Sequence, residues 1–240
     1  MGKLLNKVCL VTGAGRGLGL SIVKVLAESG AIIAGCDIDQ GLLDKIKSDQ
    51  GVNGDIYPIL ADVSLAIDAQ RCVDAVINRF GRLDVLVNNA AIDVTVPLDE
   101  LSIEQWDKIM GVNLRGPFLM SKFAFRFMKQ NRSGHIVNIV STASKRTWSN
   151  AAPYHASKWG LLGFSHALHV EGRANNIKVS AVVSGGMRTP FLLDRFPDID
   201  QETLQDPENV ARTIRFILEQ PFETVIPEVM VIPMKETSWP

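Results

Sequence analysis

A tyrosine and a lysine four residues apart, Tyr154 and Lys158, have types and spacing that suggest proton transfer. Residues at this spacing share one face of a helix. An ammonium beside a phenol favours the phenolate, so we expect Lys158 to lower the pKa of Tyr154 towards the range useful for acid–base chemistry. The same spacing also occurs on ordinary solvated helices, and the pair alone does not distinguish the two interpretations.

A glycine-rich turn, TGAGRGLG, runs from Thr12 to Gly19 between a strand-like and a helix-like segment. Its glycines follow the pattern GxxxGxG, at Gly13, Gly17 and Gly19, and not GxGxxG. Glycines let the backbone approach a pyrophosphate, and a helix N-terminus supplies unpaired N–H donors. A tight turn that needs small residues for packing is the alternative, but the strand–turn–helix context favours phosphate binding.

Asp37 ends the next strand-like segment, 18 residues after Gly19. A carboxylate at this place accepts hydrogen bonds from the adenosine ribose hydroxyls and repels a 2′-phosphate. Arg16, inside the glycine turn, is the opposing signal because an arginine there can bind that phosphate, whereas Ile38 is not basic. We predict that the carboxylate dominates and that the cofactor is NAD, with NADP as the alternative.

The elements that must position these residues alternate between strand and helix, which is typical of a parallel sheet with helices on both faces. The predicted strands are KVCLVTG, AIIAGCD, IYPILADV, LDVLVNNAA, HIVNIVS, IKVSAVVSG and EVMVIPM. The predicted helices are LGLSIVKVLAESG, SLAIDAQRCVDAVINRFG, residues 102–131 with a bend near Gly111 to Pro117, PYHASKWGLLGFSHALHVEGRANN and DPENVARTIRFILEQ. We found no repeat or linker, so we predict one α/β domain over residues 1–240.

Composition excludes several functional classes. A net charge of -1 gives no basic field for nucleic acid or an anionic membrane. The sequence contains no apolar run of the roughly 18 residues that suggest a membrane span, and its N-terminus does not resemble a signal peptide. Cys9, Cys36 and Cys72 are widely spaced without a CxxC pair, so we expect core residues in a reducing, cytoplasmic setting and no metal site.

Taken in chain order, these motifs resemble those of the short-chain dehydrogenase/reductase family, in its compact single-domain branch. The resemblance runs from Lys7 to about Thr189. TGAGRGLG resembles the TGxxxGxG turn, NNAA at residues 88–91 the NNAG strand end, and SGGMRT the PGxxxT segment. YHASK resembles the YxxxK pair, and the 13 residues from Ser141 to Tyr154 match the usual gap.

The resemblance implies a Rossmann-type doubly wound sheet and a role for each matching residue. Tyr154 is implied to be the general base in oxidation and the general acid in reduction, while Ser141 hydrogen-bonds the substrate oxygen. The resemblance further implies that Lys158 binds the nicotinamide ribose and that Asn113 holds a water that relays protons. The implied cofactor-binding residues are Gly13, Gly15, Arg16, Gly17, Leu18, Gly19, Asp37, Ile38, Asp62, Val63, Asn89, Ala90, Ala91, Tyr154, Lys158, Ser184, Gly185, Met187 and Thr189.

Departures from the family pattern leave the substrate open. Ala91 replaces the last glycine of NNAG, and Ser184 replaces the proline of PGxxxT. The substrate-covering segment, at about residues 187–207, is short. We expect an NAD-dependent oxidoreductase acting on a secondary alcohol or ketone. The alternatives are an NADPH-dependent carbonyl reductase of the 3-oxoacyl type and a non-catalytic nucleotide-binding sensor.

Further residues bear on the substrate and on partners. Lys145, Arg146 and Trp148 form either an ordinary surface loop or a basic rim for a polar or anionic substrate, to which Arg188 and Arg195 would add. An apolar cover for the substrate is predicted from Met187, Phe191, Leu192 and Phe196.

The helices that carry Asn113 and Tyr154 are apolar on more than one face. The family resemblance implies that they pack against a partner subunit, in a homotetramer or a homodimer. Trp239 is large and apolar for a chain end, and we expect it to dock on its own chain or a neighbour's.

Overall fold

Within residues 4–48 and 56–236, which the computed structural model describes, seven parallel strands form one sheet in the order β3-β2-β1-β4-β5-β6-β7. The strands are β1 Val8–Thr12, β2 Ile32–Asp37, β3 Ile56–Leu60, β4 Val85–Asn88, β5 Gly134–Ile139, β6 Ile177–Ser184 and β7 Glu228–Val231. The chain builds outward from β1 to β3 and then crosses to β4 on the other side of β1. This reversal creates a crevice at the carboxyl ends of β1 and β4, where ligands bind in such sheets. Trp239 lies outside the described residues.

Helices cover both faces of the sheet. They are α1 Gly17–Glu28, α2 Gln40–Ser48, α3 Ala66–Phe80, α4 Ile103–Met110, α5 Gly116–Asn131, α6 Ala152–Arg173, α7 Pro190–Leu193 and α8 Pro207–Leu218. Alternate residues of β1 point to opposite faces, as strand geometry requires. Val11 belongs to the core that contains residues of α1 and α8, whereas Leu10 belongs to the core that contains residues of α3 and α5. The predicted doubly wound α/β fold is therefore confirmed.

Two local differences from the predicted elements have physical causes. The helix α2 was not predicted, yet Leu43 and Ile46 lie three residues apart on its buried face. The long helix predicted over residues 102–131, with a bend near Gly111 to Pro117, is interrupted in that region by a π-helical turn, Gly111–Arg115, before α5. Pro117 has no N–H, so the regular hydrogen-bond ladder cannot continue through this region.

A buried histidine makes the stability of the fold sensitive to acid. The Nε2 atom of His135, on β5, lies 2.9 Å from Oγ of Ser180 on β6. Burial, helped by the charge of Lys178, lowers the pKa of His135 to about 3. The unfolded chain takes up this proton near pH 6.5, so stability is lost as the pH falls from there towards about 3.

We expect His135→Gln to remove part of this acid sensitivity. Between about pH 7 and about pH 5, the variant should lose about 2 kcal/mol less unfolding free energy than the wild type, because glutamine takes up no proton. Urea denaturation of both proteins at the two pH values measures the difference. Equal losses would contradict a neutral buried histidine.

Candidate active site

A cavity of about 680 Å³ lies at the carboxyl ends of the parallel strands. Its walls include the residues that directly follow β1, β2, β4, β5 and β6. Of the site residues expected from the sequence, all but Gly15 and Asn113 line it. The sheet topology therefore brings residues from Gly13 to Thr189 into one site.

The glycine turn is packed too closely to carry side chains at two positions. Gly13 has φ +63°, and a β-carbon there would lie 2.9 Å from Cα of Ala90. A β-carbon on Gly19 would lie 1.9 Å from the carbonyl oxygen of Gly13. The N-cap residue of α1, Arg16, makes no side-chain hydrogen bond to the first turn within the described part of the chain. This backbone cradle at an uncapped helix N-terminus fits a pyrophosphate.

Hydrogen bonds from the end of β4 hold the glycine turn in place. The side-chain amide of Asn89 donates to the carbonyl oxygens of Thr12 and Gly13, at 2.9 and 3.1 Å. The backbone N–H groups of Asn89 and Ala90 donate to Oγ1 of Thr12, at 3.0 and 3.1 Å. Asn89 therefore shapes the turn as well as lining the cavity.

The carboxylate of Asp37 is fixed at the end of β2. Its Oδ2 accepts from the backbone N–H of Gly15 at 2.8 Å, and its Oδ1 accepts from that of Asp39 at 3.2 Å. Gly15 thus contributes through Asp37, although it does not itself line the cavity. Nη1 of Arg16, by contrast, lies 3.6 Å from Oδ2 of Asp194. The carboxylate is held by the backbone, whereas the arginine side chain forms an exposed ion pair.

The acid–base candidates lie at the other end of the cavity. Tyr154 and Lys158 are one turn apart on α6, and Nζ of Lys158 lies 5.6 Å from the centroid of the Tyr154 ring. Nζ of Lys158 also donates to the carbonyl oxygen of Ile139 at 2.9 Å. Oγ of Ser141 accepts from the backbone N–H of Ala143 at 3.1 Å, so its own proton is left to donate into the cavity.

Burial shifts the pKa values of both groups away from the sequence expectation. Burial raises the pKa of Tyr154 to about 12, although a hydrogen bond from Ser141 opposes the shift. Burial also lowers the pKa of Lys158 to about 8, against the attraction of Asp93. In the chain alone, Lys158 therefore does not lower the pKa of the phenol as expected, because the loss of solvation dominates; the expectation also included the positive charge of an oxidised nicotinamide. The phenol is protonated at neutral pH, and Lys158 is the member of the pair whose pKa lies nearer neutrality.

The side chain of Asn113 is engaged with the protein. Its Oδ1 accepts from the backbone N–H of Ile92 at 2.9 Å, and its Nδ2 donates to the carbonyl oxygen of Ile92 at 2.8 Å and to Oγ of Ser157 at 3.2 Å. Pro117 follows four residues later and has no N–H to offer the carbonyl group of Asn113. The main-chain carbonyl of Asn113 therefore lacks the donor that a regular α-helix would provide four residues later.

Large apolar side chains form much of the substrate end of the cavity. The residues predicted to cover the substrate all line it, as does Trp148. Lys145 and Arg146 are not among the described residues that line the cavity. Nζ of Lys145 instead lies 2.7 Å from Oε1 of Glu228. Nη2 of Arg188 lies 3.7 Å from Oδ2 of Asp206. Lys145 and Arg146 therefore do not form the expected basic rim, whereas Arg195, which was expected to add to it, does line the cavity.

Sequence reasoning missed two acidic residues of the cavity, Asp93 and Glu236. Asp93 follows the NNAA stretch by two residues, and its place at the carboxyl edge of the sheet was the available signal. No sequence pattern pointed to Glu236. Its Oε2 accepts a hydrogen bond from the backbone N–H of Gly186 at 3.1 Å, and the two residues are 50 positions apart. This contact secures the loop in which Ser184 replaces a proline.

Two negative findings bear on other kinds of site. Among residues 4–48 and 56–236, no helix combines the length and apolar character needed to cross a bilayer. In the same residues, no group of three or more histidine, cysteine, aspartate or glutamate side chains is placed to hold a metal ion.

Comparison with known proteins gives consistent matches. A family model described as short chain dehydrogenase matches residues 7–200. A 3-oxoacyl-(acyl-carrier-protein) reductase of Thermotoga maritima is 32% identical over 240 residues, covering 96% of this chain and 97% of its own. The D-threitol dehydrogenase of Mycolicibacterium smegmatis is 35% identical over 184 residues, covering 75% and 70% of the two chains.

Solved structures agree with the fold over almost the whole chain. The X-ray structure of an alcohol dehydrogenase from the archaeon Thermococcus sibiricus, complexed with 5-hydroxy-NADP, superposes with a TM-score of 0.87 at 27% identity. The superposition covers 96% of this chain and 97% of the alcohol dehydrogenase chain.

Proposed function

Because the chain belongs to the short-chain dehydrogenase/reductase family, and is therefore an oxidoreductase, we propose that it transfers a hydride between NAD(H) and a secondary alcohol or ketone. One observation carries the proposal. A single cavity joins the glycine cradle and Asp37 at one end to Ser141, Tyr154 and Lys158 at the other. A dinucleotide held by the first group would place its nicotinamide beside the second.

The side chains of the protein transfer the proton and orient the substrate oxygen. A nicotinamide dinucleotide, when bound, supplies the hydride acceptor or donor. Tyr154 gives its phenolic proton to the substrate oxygen in reduction and takes a proton from it in oxidation. The hydroxyl of Ser141 donates a hydrogen bond to the same oxygen and stabilises the charge that develops there. Lys158, with a pKa of about 8, restores the proton of Tyr154 through water held at the main-chain carbonyl of Asn113.

The adenosine end of the cavity supports the proposal of NAD. Asp37 as a whole residue is 9% exposed and its carboxylate is backbone-bound, so it cannot easily turn away from a 2′-phosphate. The second candidate is NADPH-dependent carbonyl reduction, which the exposed guanidinium of Arg16 favours. The similar archaeal alcohol dehydrogenase was solved with 5-hydroxy-NADP, and the similar bacterial protein is a 3-oxoacyl reductase.

Titration of the purified protein with NADH and with NADPH tests the proposed cofactor. Trp148 lines the cavity, so cofactor binding should quench tryptophan fluorescence. We expect NADH to bind at least about tenfold more tightly than NADPH, because like charges placed together are costly. Tighter binding of NADPH would favour the reductase. Binding of NADH without turnover of any alcohol or ketone in a broad screen would favour the non-catalytic sensor.

We expect Glu236→Ala to weaken NADH binding by about tenfold, because a hydrogen bond to a charged group contributes about 1.5 kcal/mol. The loss would free the Ser184–Met187 loop, which is expected to bind the carboxamide. Fluorescence titration measures the effect. Glu208→Ala is the matched control, since Glu208 pairs with Arg212 on the exposed face of α8 and neither residue lines the cavity. Unchanged affinity in Glu236→Ala would show that the loop holds its shape without this contact.

We also propose a homotetramer, formed through the helices α5 and α6. Phe118 on α5 and Trp159 on α6 are 44% and 49% exposed, which is unusual for large apolar side chains on adjoining helices. We also propose a cytoplasmic location, because the cysteines Cys9, Cys36 and Cys72 are free and buried, as is usual in a reducing compartment.

Trp159→Glu should dissociate the assembly, because it buries a charge in an apolar interface. Size-exclusion chromatography with light scattering measures the mass. Ile67→Glu, on the exposed face of α3, is the control and should leave the mass unchanged. An unchanged assembly in Trp159→Glu would place the interface elsewhere.

A further inference from the structure

An ion pair that the mechanism does not use joins the substrate-covering segment (residues 187–207) to the cavity wall. Nη1 of Arg195 donates to Oδ2 of Asp93, in the loop after β4. The side chain of Asp93 is 5% exposed and that of Arg195 is 22% exposed. The neighbouring pair of Asp194 with Arg16 has side chains that are 66% and 61% exposed. Exposed pairs contribute little, whereas breaking a buried pair leaves an uncompensated charge, so the Asp93–Arg195 pair is the stronger tether.

Arg195 connects this tether to the aromatic wall of the cavity. Its Nε donates to the carbonyl oxygen of Phe191 at 2.9 Å, and its guanidinium carbon lies 4.5 Å from the centroid of the Phe191 ring. It lies 5.4 Å from the ring of Phe196 as well. The Phe191 ring in turn lies 5.9 Å from the ring of Tyr154, centroid to centroid. Contacts therefore run continuously from Asp93 to the side chain proposed to exchange the proton.

The negative charge of Asp93 and the positive charge of Arg195 compensate each other. The second carboxylate oxygen of Asp93 accepts from the backbone N–H of Val94 at 2.8 Å. Asp93 and Arg195 therefore offer no net charge to an anionic substrate. The cavity wall also contains the polar residues Thr95, Lys108 and Thr203, but its large side chains are mostly apolar: Ile92, Val140, Trp148, Leu192, Phe196 and Ile199. An uncharged apolar group is the best complement to these surroundings.

We propose that Asp93 is a positioning residue that, through Arg195, holds Phe191 as a wall of the substrate pocket. The pocket thereby selects secondary alcohols or ketones that carry an apolar or aromatic group beside the reacting carbon. This inference rests on the proposed function, because it concerns the same cavity. Without the pair, Arg195 would turn towards water and Phe191 would leave its place beside Tyr154. Substrate binding would weaken while the proton-transfer residues stayed intact.

The experiment compares Asp93→Asn with the matched control Asp194→Asn. Both changes replace a carboxylate by an amide and remove one ion pair from the same segment, but only the first pair is buried. Asparagine also keeps an acceptor for the N–H of Val94. Hydrogen exchange of residues 188–199 is measured by mass spectrometry in the absence of substrate. Steady-state kinetics compare 1-phenylethanol with 2-propanol, and fluorescence titration measures the affinity for NADH.

In Asp93→Asn, we expect amide exchange in the segment to rise by about tenfold or more. KM for 1-phenylethanol should rise by about tenfold with kcat changed less than about threefold, as for lost binding contacts. KM for 2-propanol and the affinity for NADH should be unchanged, and Asp194→Asn should resemble the wild type in every measurement. Arg195→Met should reproduce Asp93→Asn, and the double variant should be no worse than either single variant.

Several results would overturn the inference. Unchanged hydrogen exchange in both Asp93→Asn and Arg195→Met would show that the pair does not hold the segment. A fall in kcat with unchanged KM would assign Asp93 to the chemical step. Additive effects in the double variant would show that the two residues act separately. If the wild type oxidised no alcohol and reduced no ketone, the proposed function would fail, but hydrogen exchange would still decide whether the tether exists.

Discussion

Replacement of Tyr154 by phenylalanine should lower kcat by about 10³-fold, within the range for loss of a general acid or base. The change removes one oxygen atom and keeps the ring that packs against Phe191 and lies near Lys158. Substrate and cofactor should therefore still bind, and the loss should appear in kcat. Steady-state kinetics with a substrate turned over by the wild type, together with NADH titration, measure both quantities.

The second tyrosine of the chain provides a matched control. Tyr57 lies on β3, where its ring packs edge-on against Phe80 at 5.6 Å. Tyr57→Phe removes the same atom without touching the cavity and should leave kcat unchanged. Undiminished turnover in Tyr154→Phe would show that another group moves the proton, and the proposed mechanism would be wrong.

Replacement of Asp37 by serine should shift cofactor preference towards NADP by about 10²-fold, because it relieves a like-charge contact worth several kcal/mol. The ratio of kcat/KM for NADPH and NADH measures this shift. Asp37→Asn separates charge from hydrogen bonding, since its amide oxygen still accepts from the N–H of Gly15. If charge is the selector, asparagine should give most of the shift. No change in either variant would remove Asp37 as the basis of the NAD preference and bring Arg16 forward.

Much of the fold was predictable because its signals are local. Short apolar segments that end in glycine or polar residues give the strands, and a glycine closes each of two predicted helices. Gly81, for example, has φ +68° and ends α3 with a hydrogen bond to Ile77. The predicted helix DPENVARTIRFILEQ begins with its own cap, because Asp206 accepts from the N–H of Glu208 and Pro207 lies at the first helical position. The helix α2 was missed because its two buried residues give too short a periodic pattern.

The candidate site was predictable as a set of positions but not as a set of contacts. Motif order and parallel topology place Gly13, Asp37 and Tyr154 at one edge of the sheet. The pairing of Asp93 with Arg195 joins residues 102 apart, and no local pattern encodes it. The pKa of Tyr154 was expected to fall because the nearby lysine was visible in the sequence. The loss of solvation that raises it instead depends on the packing of the whole cavity.

The central claim is that a hydride passes between the alcohol carbon of a substrate and NAD in the cavity that holds Tyr154. Incubation of the wild type with NAD and a secondary alcohol deuterated at the carbinol carbon, followed by mass spectrometry of the cofactor, tests it most directly. We expect NADH that is heavier by one deuterium, formed only with active enzyme. Oxidised alcohol accompanied by unlabelled NADH, or labelled NADPH formed only when NADP replaces NAD, would contradict the account.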